Sequence, residues 1–293
     1  MQDLRLRKSA RKDSERIEKL VYDYYFKLVP VLNGFKNEEE LVCKKILDKD
    51  SNIIAGCAAY IYQWGCVYVD TLWVDEKYRR QELGSHLLQA VENIAKGKGC
   101  HLSYLDTGDF QAKPFYLKHG YTVFATTKDY PKGEHEDYHL FKRFDKVKST
   151  RKCNPTTFEI LDGTEEDSEF IDDKLDEYNR SFLTKKHDYI KINRKLVTKD
   201  SKVIAAIMAG VGEVDVAYIW KIWVDEEYRH KGLGTLLLEH FEKKAKEKGA
   251  TKIVAEEIYD WNVNFFLKAG YKVNGILQDL PKGHSYYLIE KEL

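Results

Sequence analysis

A short basic segment between an apolar strand and an amphipathic helix carries the chemistry that is easiest to recognise in this sequence. Residues 229–235 read Arg-His-Lys-Gly-Leu-Gly-Thr. The first turn of a helix has backbone N–H groups without intrahelical partners and the positive end of the helix dipole. Glycines let a ligand approach that backbone, so the pattern suits a phosphate or a pyrophosphate. The segment is neither a Walker A loop nor a G-x-G-x-x-G motif, and a solvated, glycine-containing helix start is the other interpretation.

The strand that leads into this segment occurs twice, because the chain is a duplication. Residues 73–79 read Trp-Val-Asp-Glu-Lys-Tyr-Arg and residues 223–229 read Trp-Val-Asp-Glu-Glu-Tyr-Arg, at an offset of 150. The offset is 154 between residues 13–15 and 167–169, so the first copy carries extra residues near 31–40. A solenoid unit has only roughly 20 to 50 residues, so each copy is a whole domain. We expect an N-terminal domain at 1–146, a linker at 147–156 and a C-terminal domain at 157–293.

Within each copy, strands alternate with helices. The elements expected in the two copies are a polar helix (13–27; 167–180), an apolar strand (53–62; 203–209), a strand rich in β-branched and aromatic residues (66–74; 216–224), an amphipathic helix (83–96; 233–248), and then a short strand, a short helix and a final strand pair. Gly99 and Gly249 fit as the positive-φ residues that end the amphipathic helices. This alternation predicts an α/β fold with a mixed sheet in each half.

Two motifs in each copy resemble the GNAT superfamily of N-acetyltransferases. Residues 229–234 are similar to its acetyl-CoA motif, Q/R-x-x-G-x-G/A, and residues 115–121 are similar to its F-Y-x-K-x-G-F/Y element. The order and spacing of both motifs match in both halves. The resemblance implies two tandem GNAT-like domains, each a mixed, mostly antiparallel sheet flanked by helices. It also implies that each sheet is splayed open between its fourth and fifth strands to hold a pantetheine arm.

The resemblance further implies acetyl-CoA as co-substrate and direct attack of an amine on the thioester. Backbone groups at the end of the fourth strand would bind the pantetheine and the acetyl carbonyl, the helix start would bind the pyrophosphate, and a tyrosine of the F-Y element would protonate the thiolate. The cofactor-binding residues implied in the second half are Ile222, Trp223, Val224, Arg229, His230, Lys231, Gly232, Leu233, Gly234, Thr235, Phe265 and Phe266.

The two halves depart from the family pattern at different positions. The first half has Glu82 where a glycine is expected, and a carboxylate near a pyrophosphate repels it. The second half keeps both glycines but has Phe266 where the first has Tyr116. Phenylalanine cannot donate a proton, although water or another side chain can replace the donor. We therefore expect the second half to be the principal acetyl-CoA site and the first half to be a degenerate or weaker copy.

The general base is harder to identify. A lysine-like amine has a pKa near about 10.4, so it must lose a proton before it attacks. Glu256 lies on the fifth-strand segment, and His284 follows a Pro-Lys-Gly turn where its ring could relay a proton. These two and Tyr116 are the predicted catalytic residues. Asp70 and Asp106 are further candidates, and a solvated or ion-paired role is the alternative for every carboxylate in this group.

Charge and composition exclude several functional classes. The chain has 48 Lys+Arg and 48 Asp+Glu in 293 residues, so it lacks the basic excess of a non-specific nucleic-acid binder. No apolar run approaches the roughly 18 residues of a membrane span, and the N-terminus lacks the apolar stretch of a signal peptide. We expect a cytoplasmic protein without a membrane partner. The five cysteines include no C-x-x-C pair and are expected to be reduced packing residues, with no metal site.

The acceptor is expected to be a primary amine of a small molecule or a peptide. Tyr22, Tyr24, Tyr25 and Phe26 either line its cleft or pack against the partner domain. A monomer and a homodimer are both open. The alternative function is a non-catalytic acyl-CoA-binding or structural tandem module, which the complementary motif losses suggest.

Overall fold

The computed structural model describes residues 4–29, 39–130, 133–145, 157–185 and 187–293. Within those ranges the chain forms two compact units, each described here by itself. Unit 1 contains residues up to 29, residues 128–135 and residues from 185 onward. Unit 2 contains residues 39–127 and 136–184.

Helices and strands recur in the same order in both sequence halves. The first half contains β1 (Arg5–Lys8), α1 (Arg11–Leu28), β2 (Glu39–Leu47), β3 (Ile53–Tyr62), β4 (Cys66–Val74), α2 (Leu83–Gly97), β5 (Leu102–Gly108), α3 (Lys113–Lys118), β6 (Thr122–Thr127) and β7 (Asp137–Arg143). The second half contains β8 (Leu161–Asp162), α4 (Glu165–Asn179), β9 (Ile190–Lys191), β10 (Arg194–Val197), β11 (Val203–Val211), β12 (Val216–Val224), α5 (Leu233–Glu247), β13 (Lys252–Tyr259), α6 (Val263–Lys268), β14 (Lys272–Gln278) and β15 (Ser285–Glu292).

Each unit is built on one mixed sheet. The order is β1-β10-β11-β12-β13-β15-β14 in unit 1, where β9 also pairs with β11, and β8-β2-β3-β4-β5-β7-β6 in unit 2. The pairs β12–β13 and β4–β5 are parallel, and the other pairs in the described residues are antiparallel. The predicted fold class, an α/β tandem of mostly antiparallel sheets with flanking helices, is confirmed.

The first strand and helix of each unit come from the other sequence half. β1 pairs with β10, with Arg5 opposite Val197, and β8 pairs with β2, with Lys44 opposite Asp162. The compact units therefore cross the boundaries at 146 and 157 that the repeat predicts, because these edge strands add to the sheet of the other half. The expected linker, 147–156, lies outside the described residues.

Equivalent ion pairs hold α1 and α4, the two helices that each pack on the other sequence half. Lys195 Nζ lies 2.6 Å from Asp13 Oδ2 in unit 1, and in unit 2 Lys45 Nζ lies 2.6 Å from Asp167 Oδ2. Ile171 of α4 is fully buried. A Cβ atom on Gly56 of β3 would lie 2.1 Å from Ile171 Cδ1, so only glycine fits where this helix crosses the sheet. Burial of such a side chain contributes about 1.5–3 kcal/mol.

The helices that follow the fourth strands have the cores that their spacing predicts. Leu87, Leu88 and Val91 of α2 are buried, as are Leu237 and Leu238 of α5. The residues that end the two helices also behave as expected. Gly99 has φ 88° and Gly249 has φ 89°, in the left-handed region.

The described cysteines pack in the core of unit 2. Cys43, Cys57, Cys66 and Cys100 are free and buried, and Cys153 lies outside the described residues. Burial, reinforced by Asp167, raises the pKa of Cys43 to about 11, which keeps this thiol unreactive at neutral pH. In the described part of the chain, no helix is both long enough and apolar enough to cross a membrane.

Candidate active site

Both sheets open between their fourth and fifth strands. In unit 1 the parallel ladder joins Val216 through Ile219 to β13 and stops there, although β12 continues to Val224. In unit 2 the ladder joins only Cys66 through Tyr68 to β5. The carboxyl ends of the two strands therefore diverge in each unit. The splay that the resemblance implies is present in both.

The predicted pantetheine residues of unit 1 lie along this gap. Ile222, Trp223 and Val224 pair with β11 on one side, opposite Ile207, Ala206 and Ala205. They have no ladder partner in β13. Backbone groups on an unpaired strand edge are available to another chain or a ligand. These residues can therefore hydrogen-bond a ligand in the gap.

The loop after β12 turns sharply and begins α5 with its amides unpaired. Asp225 accepts a hydrogen bond from the backbone N–H of Glu227 at 3.1 Å. Arg229 Nε donates to the carbonyl of Val224 at 3.2 Å, which fixes the guanidinium at the end of the strand. Gly232, with φ 77° and ψ 4°, precedes the first helical residue. The structure thus brings the predicted anion-binding residues 229–235 to one helix start beside the gap.

The corresponding loop of unit 2 has the same backbone despite its glutamate. Glu82 has φ 62° and ψ 10°, close to the values of Gly232. A left-handed conformation is strained for a side chain other than glycine, by roughly 1–3 kcal/mol. A Cβ atom on Gly232 would meet no heavy atom within 4 Å. The two loops therefore differ in side-chain charge and volume rather than in the path of the amides.

The second glycine of the motif serves packing. A Cβ atom on Gly234 would lie 3.2 Å from the Phe265 ring and 3.7 Å from Val224 Cγ2. Phe265 in turn lies edge-on to Phe266, with ring centroids 5.0 Å apart. Phe266 is fully buried and belongs to the core of unit 1. Of these two predicted cofactor residues, Phe265 is the one that lies against the helix start.

Tyr116 is placed in unit 2, separately from the other two predicted catalytic residues. It is only 7% exposed, and its ring lies edge-on to Phe115 at 5.2 Å and to Tyr121 at 5.6 Å. Burial above all, and then Cys57 and Asp106, raise the pKa of Tyr116. The hydroxyl therefore keeps its proton at neutral pH, and the raised pKa makes it a weaker acid than an exposed tyrosine.

Glu256 and His284 both lie in unit 1, near the end of β13. Glu256 directly follows Ala255, the last residue of the parallel ladder, where the register with β15 shifts. His284 Nδ1 lies 3.1 Å from Asp260 Oδ2, and the His284 ring lies edge-on to Trp261 at 5.0 Å. A carboxylate that orients one ring nitrogen leaves the other available for proton transfer.

Asp70 of unit 2 has a carboxyl group with a raised pKa. It lies on β4, where Trp220 stands in β12. Partial desolvation, and then the charges of Asp172 and Asp106, raise the pKa of Asp70 to about 6. Thr71 Oγ1 donates to Asp172 Oδ1 at 3.1 Å, which places α4 beside the strand. On the sequence Asp70 is a further candidate whose counterpart is Trp220; the influence of Asp172, about a hundred residues away, comes only from the exchange of α4.

The aromatic residues of α1 pack around the site of unit 1. The Arg229 guanidinium lies 4.6 Å from the Tyr24 ring centroid, and Lys221 Nζ lies 4.8 Å from that of Tyr22. Tyr25 contacts Tyr259 edge-on at 5.5 Å. Such cation–π contacts hold cationic groups in place. Helix α1 therefore helps to position Arg229.

The amino-acid sequence matches a known protein family. The sequence model of the acetyltransferase (GNAT) family matches residues 6–121 and 154–271. The chain belongs to the GNAT acetyltransferase family. Both copies match, so the tandem organisation of GNAT domains is also shown.

Several acetyltransferases are similar to parts of this chain. Blasticidin-S acetyltransferase from Streptomyces morookaense is 42% identical over 81 residues, which is 27% of this chain and 60% of that protein. An acetyltransferase structure from Bacillus cereus is 35% identical, with a TM-score of 0.43, and covers 47% of this chain and 96% of its own. The PaiA N-acetyltransferase of Thermoplasma acidophilum, solved with coenzyme A, is 26% identical, with a TM-score of 0.29, and covers 45% of this chain and 80% of its own.

Proposed function

We propose that this protein is an acetyl-CoA-dependent N-acetyltransferase that transfers acetyl to a primary amine by direct attack. The observation that carries the proposal is the splayed strand pair of unit 1 beside a basic helix start with unpaired amides. A long ligand with a diphosphate at one end and a thioester at the other matches this arrangement. When bound, it would supply an activated acyl carbon and a thiolate leaving group.

The residues of unit 1 fit that ligand. The amides after Gly232 and the Arg229 guanidinium would hold the diphosphate. The open space around Gly232, where a Cβ atom would meet nothing within 4 Å, leaves room for it. The free backbone edge of Ile222 through Val224 would hold the pantetheine amides and polarise the acetyl carbonyl.

Proton transfer in unit 1 falls to His284 and Glu256. Asp260 contacts Nδ1 and orients the His284 ring. The other ring nitrogen, Nε2, can then accept a proton from the ammonium form of the acceptor amine. Glu256 lies where the two strands begin to diverge and would attract that cation. Phe266 has no hydroxyl, so water protonates the leaving thiolate here.

Unit 2 is proposed as a second transfer site with weaker acetyl-CoA binding. Asp70, with a pKa of about 6, is largely ionised at neutral pH and still basic enough to accept a proton. Tyr116 would protonate the thiolate. Glu82 places negative charge at the helix start of this unit, which opposes the diphosphate. Unit 2 would therefore keep groups for proton transfer while its anion binding is weakened.

A small-molecule acceptor is favoured over a peptide. The support is the similarity to blasticidin-S acetyltransferase, whose name states a small-molecule substrate. Because the match spans 60% of that protein, this assignment is a proposal for the present chain.

The test is release of free thiol from acetyl-CoA with a panel of amines that includes blasticidin S, polyamines and peptides. We expect turnover with at least one small-molecule amine. His284→Asn should lower kcat by about 100-fold or more, whereas His135→Asn, after the corresponding turn of the first half, should not. No turnover across the panel with coenzyme A binding retained would instead support the non-catalytic module.

A further inference from the structure

In unit 2, positive and negative side chains are paired at the sheet edge where β8 joins β2. Lys44 Nζ donates a hydrogen bond to Asp162, its partner across β2 and β8. Lys98 Nζ lies 2.9 Å from Glu40 Oε2. Each lysine at this edge therefore faces a carboxylate.

The same edge of unit 1 lacks both carboxylates. Lys8 stands in place of Asp162, and Ile190 stands in place of Glu40, while Arg194 and Lys248 keep the cations. In the register of β1 with β10, Lys8 lies directly opposite Arg194. Like charges directly opposite each other on antiparallel strands are destabilising. This arrangement costs stability unless an anion neutralises it.

These cations surround a cavity. Its volume is about 290 Å³, and none of the nine residues that line it is acidic. Ligand sites for small molecules begin at roughly this size. Lys244, on the last turns of α5, also lines the cavity but is paired with Glu247. No carboxylate partner in the described part of the chain is found for Lys8, Lys191, Arg194 and Lys248.

Polar groups at the same place also lack partners. Ser9 Oγ is buried without a hydrogen bond in the described structure, and Ser9 lines the cavity. Nearby, His240 Nε2 is likewise buried without one. Burial, and then the charges of Arg194 and Lys244, lower the pKa of His240. This ring therefore stays neutral at neutral pH and marks a region of positive potential.

We propose that this cavity binds a small, multiply charged phosphate-type anion, such as a diphosphate or a phosphate monoester. Arg194 and the three unpaired lysines supply the charge, and the Ser9 hydroxyl can donate a hydrogen bond. The site differs from the acetyl-CoA loop. The loop lies at the first turn of α5 and the cavity at its last turns, so the 15-residue helix separates them by about 20 Å.

The test is calorimetric titration of the full chain with pyrophosphate, with and without saturating coenzyme A. Lys8→Asp recreates the ion pair of unit 2 and should weaken pyrophosphate binding at this site by at least about tenfold. Lys12→Asp is the matched control, because it makes the same charge change at an exposed position of α1 that does not line the cavity. Without pyrophosphate, Lys8→Asp should also raise the melting temperature.

The expected result is saturable pyrophosphate binding that persists with coenzyme A present, is weakened at least about tenfold in Lys8→Asp and is kept in Lys12→Asp. Lys248→Gln provides a second variant, which should weaken binding without adding a carboxylate. If all three variants left pyrophosphate binding unchanged, the anion would bind elsewhere. If Lys8→Asp and Lys12→Asp weakened binding equally, the loss would come from the change in net charge alone. Either result, or no saturable binding, would overturn the proposal and leave the acetyl-CoA assignment untouched.

Discussion

The two units have the same strand order and the same splay, yet they differ at the positions where acetyl transfer needs specific chemistry. Unit 1 has Gly232 at the helix start and Phe266 in the following short helix. Unit 2 has Glu82 and Tyr116 at those positions. On the fourth strand, unit 2 has Asp70 with a pKa of about 6, whereas unit 1 has Trp220, stacked on Tyr218 at 6.2 Å.

The two units share a backbone conformation at the helix start and differ in the side chains beside it. The backbone that would cradle a diphosphate is the same in both units, because Glu82 adopts the left-handed conformation of Gly232. The side chains that move protons are not the same.

The largest difference we expect concerns stability. In unit 2, Lys142 Nζ lies 2.6 Å from Glu92 Oε2, and both side chains are less than 5% exposed. In unit 1, the pair Lys291–Glu242 is 25% and 17% exposed. Glu92→Ala leaves the buried Lys142 ammonium without its carboxylate and should lower the free energy of unfolding by about 3–5 kcal/mol. Glu242→Ala should cost about half as much or less, because water reaches Lys291. Urea denaturation measures both, and equal losses would contradict the contrast.

Next in size is the effect of charge at the helix start. Gly232→Glu should weaken coenzyme A binding by about 100-fold, through repulsion and through strain at a positive φ. Glu82→Gly should change the affinity of the tight site by less than about twofold, because that site lies in unit 1. Fluorescence or calorimetric titration provides the affinities. The opposite ranking would make unit 2 the principal site.

Proton donation comes third. Phe266→Tyr restores the hydroxyl that Tyr116 has in unit 2 and should raise kcat by up to about tenfold. Tyr116→Phe should remove only the smaller activity of unit 2. Turnover at saturating acetyl-CoA distinguishes the two variants. If Tyr116→Phe abolished most of the activity, the assignment of the principal site would be wrong.

The smallest effect is a pH dependence in unit 2. The folded pKa of Asp70, about 6, lies above its unfolded value near 3.9, so the protonated form favours folding. That contribution is complete below about pH 4 and is lost as the pH rises through 6. Asp70→Asn, which mimics the protonated form, should match the wild type at pH 4 and be more stable at pH 7.5. Solvent exposure limits the gain to about 1 kcal/mol or less.

Melting temperatures at the two pH values check this prediction. Asp50→Asn, in the exposed turn before β3, is the control because it makes the same side-chain change away from Asp172 and Asp106. A gain for Asp70→Asn that is equal at pH 4 and pH 7.5 would show that the carboxyl does not titrate between them.

Local patterns in the sequence were sufficient for much of this account. The bounds of β4 and β12 were predicted correctly. The alternation of β-branched and aromatic residues that marks these strands can be recognised from a few adjacent positions of the sequence. The two helices after them were predicted to within one residue for the same reason. The splay and the helix-start loop followed from the family resemblance, and both are present.

The exchange of the first strand and helix could not be predicted. The repeat offsets are the same whether α1 packs on its own half or on the other, and only a long-range register such as Lys8 opposite Arg194 distinguishes them. The environment of Asp70 was hidden for that reason, because it depends on Asp172 of α4. The unpaired cations of unit 1 became visible only by comparison with the ion pairs of unit 2.

The most direct test of the central claim is the stoichiometry of coenzyme A binding to the full chain, measured by calorimetry. The account predicts one tightly bound coenzyme A per chain, lost in Gly232→Glu and retained in Glu82→Gly. Two equally tight sites would show that the Glu82 carboxylate does not impair unit 2. No binding at all would contradict the assignment of residues 229–235 as a diphosphate cradle.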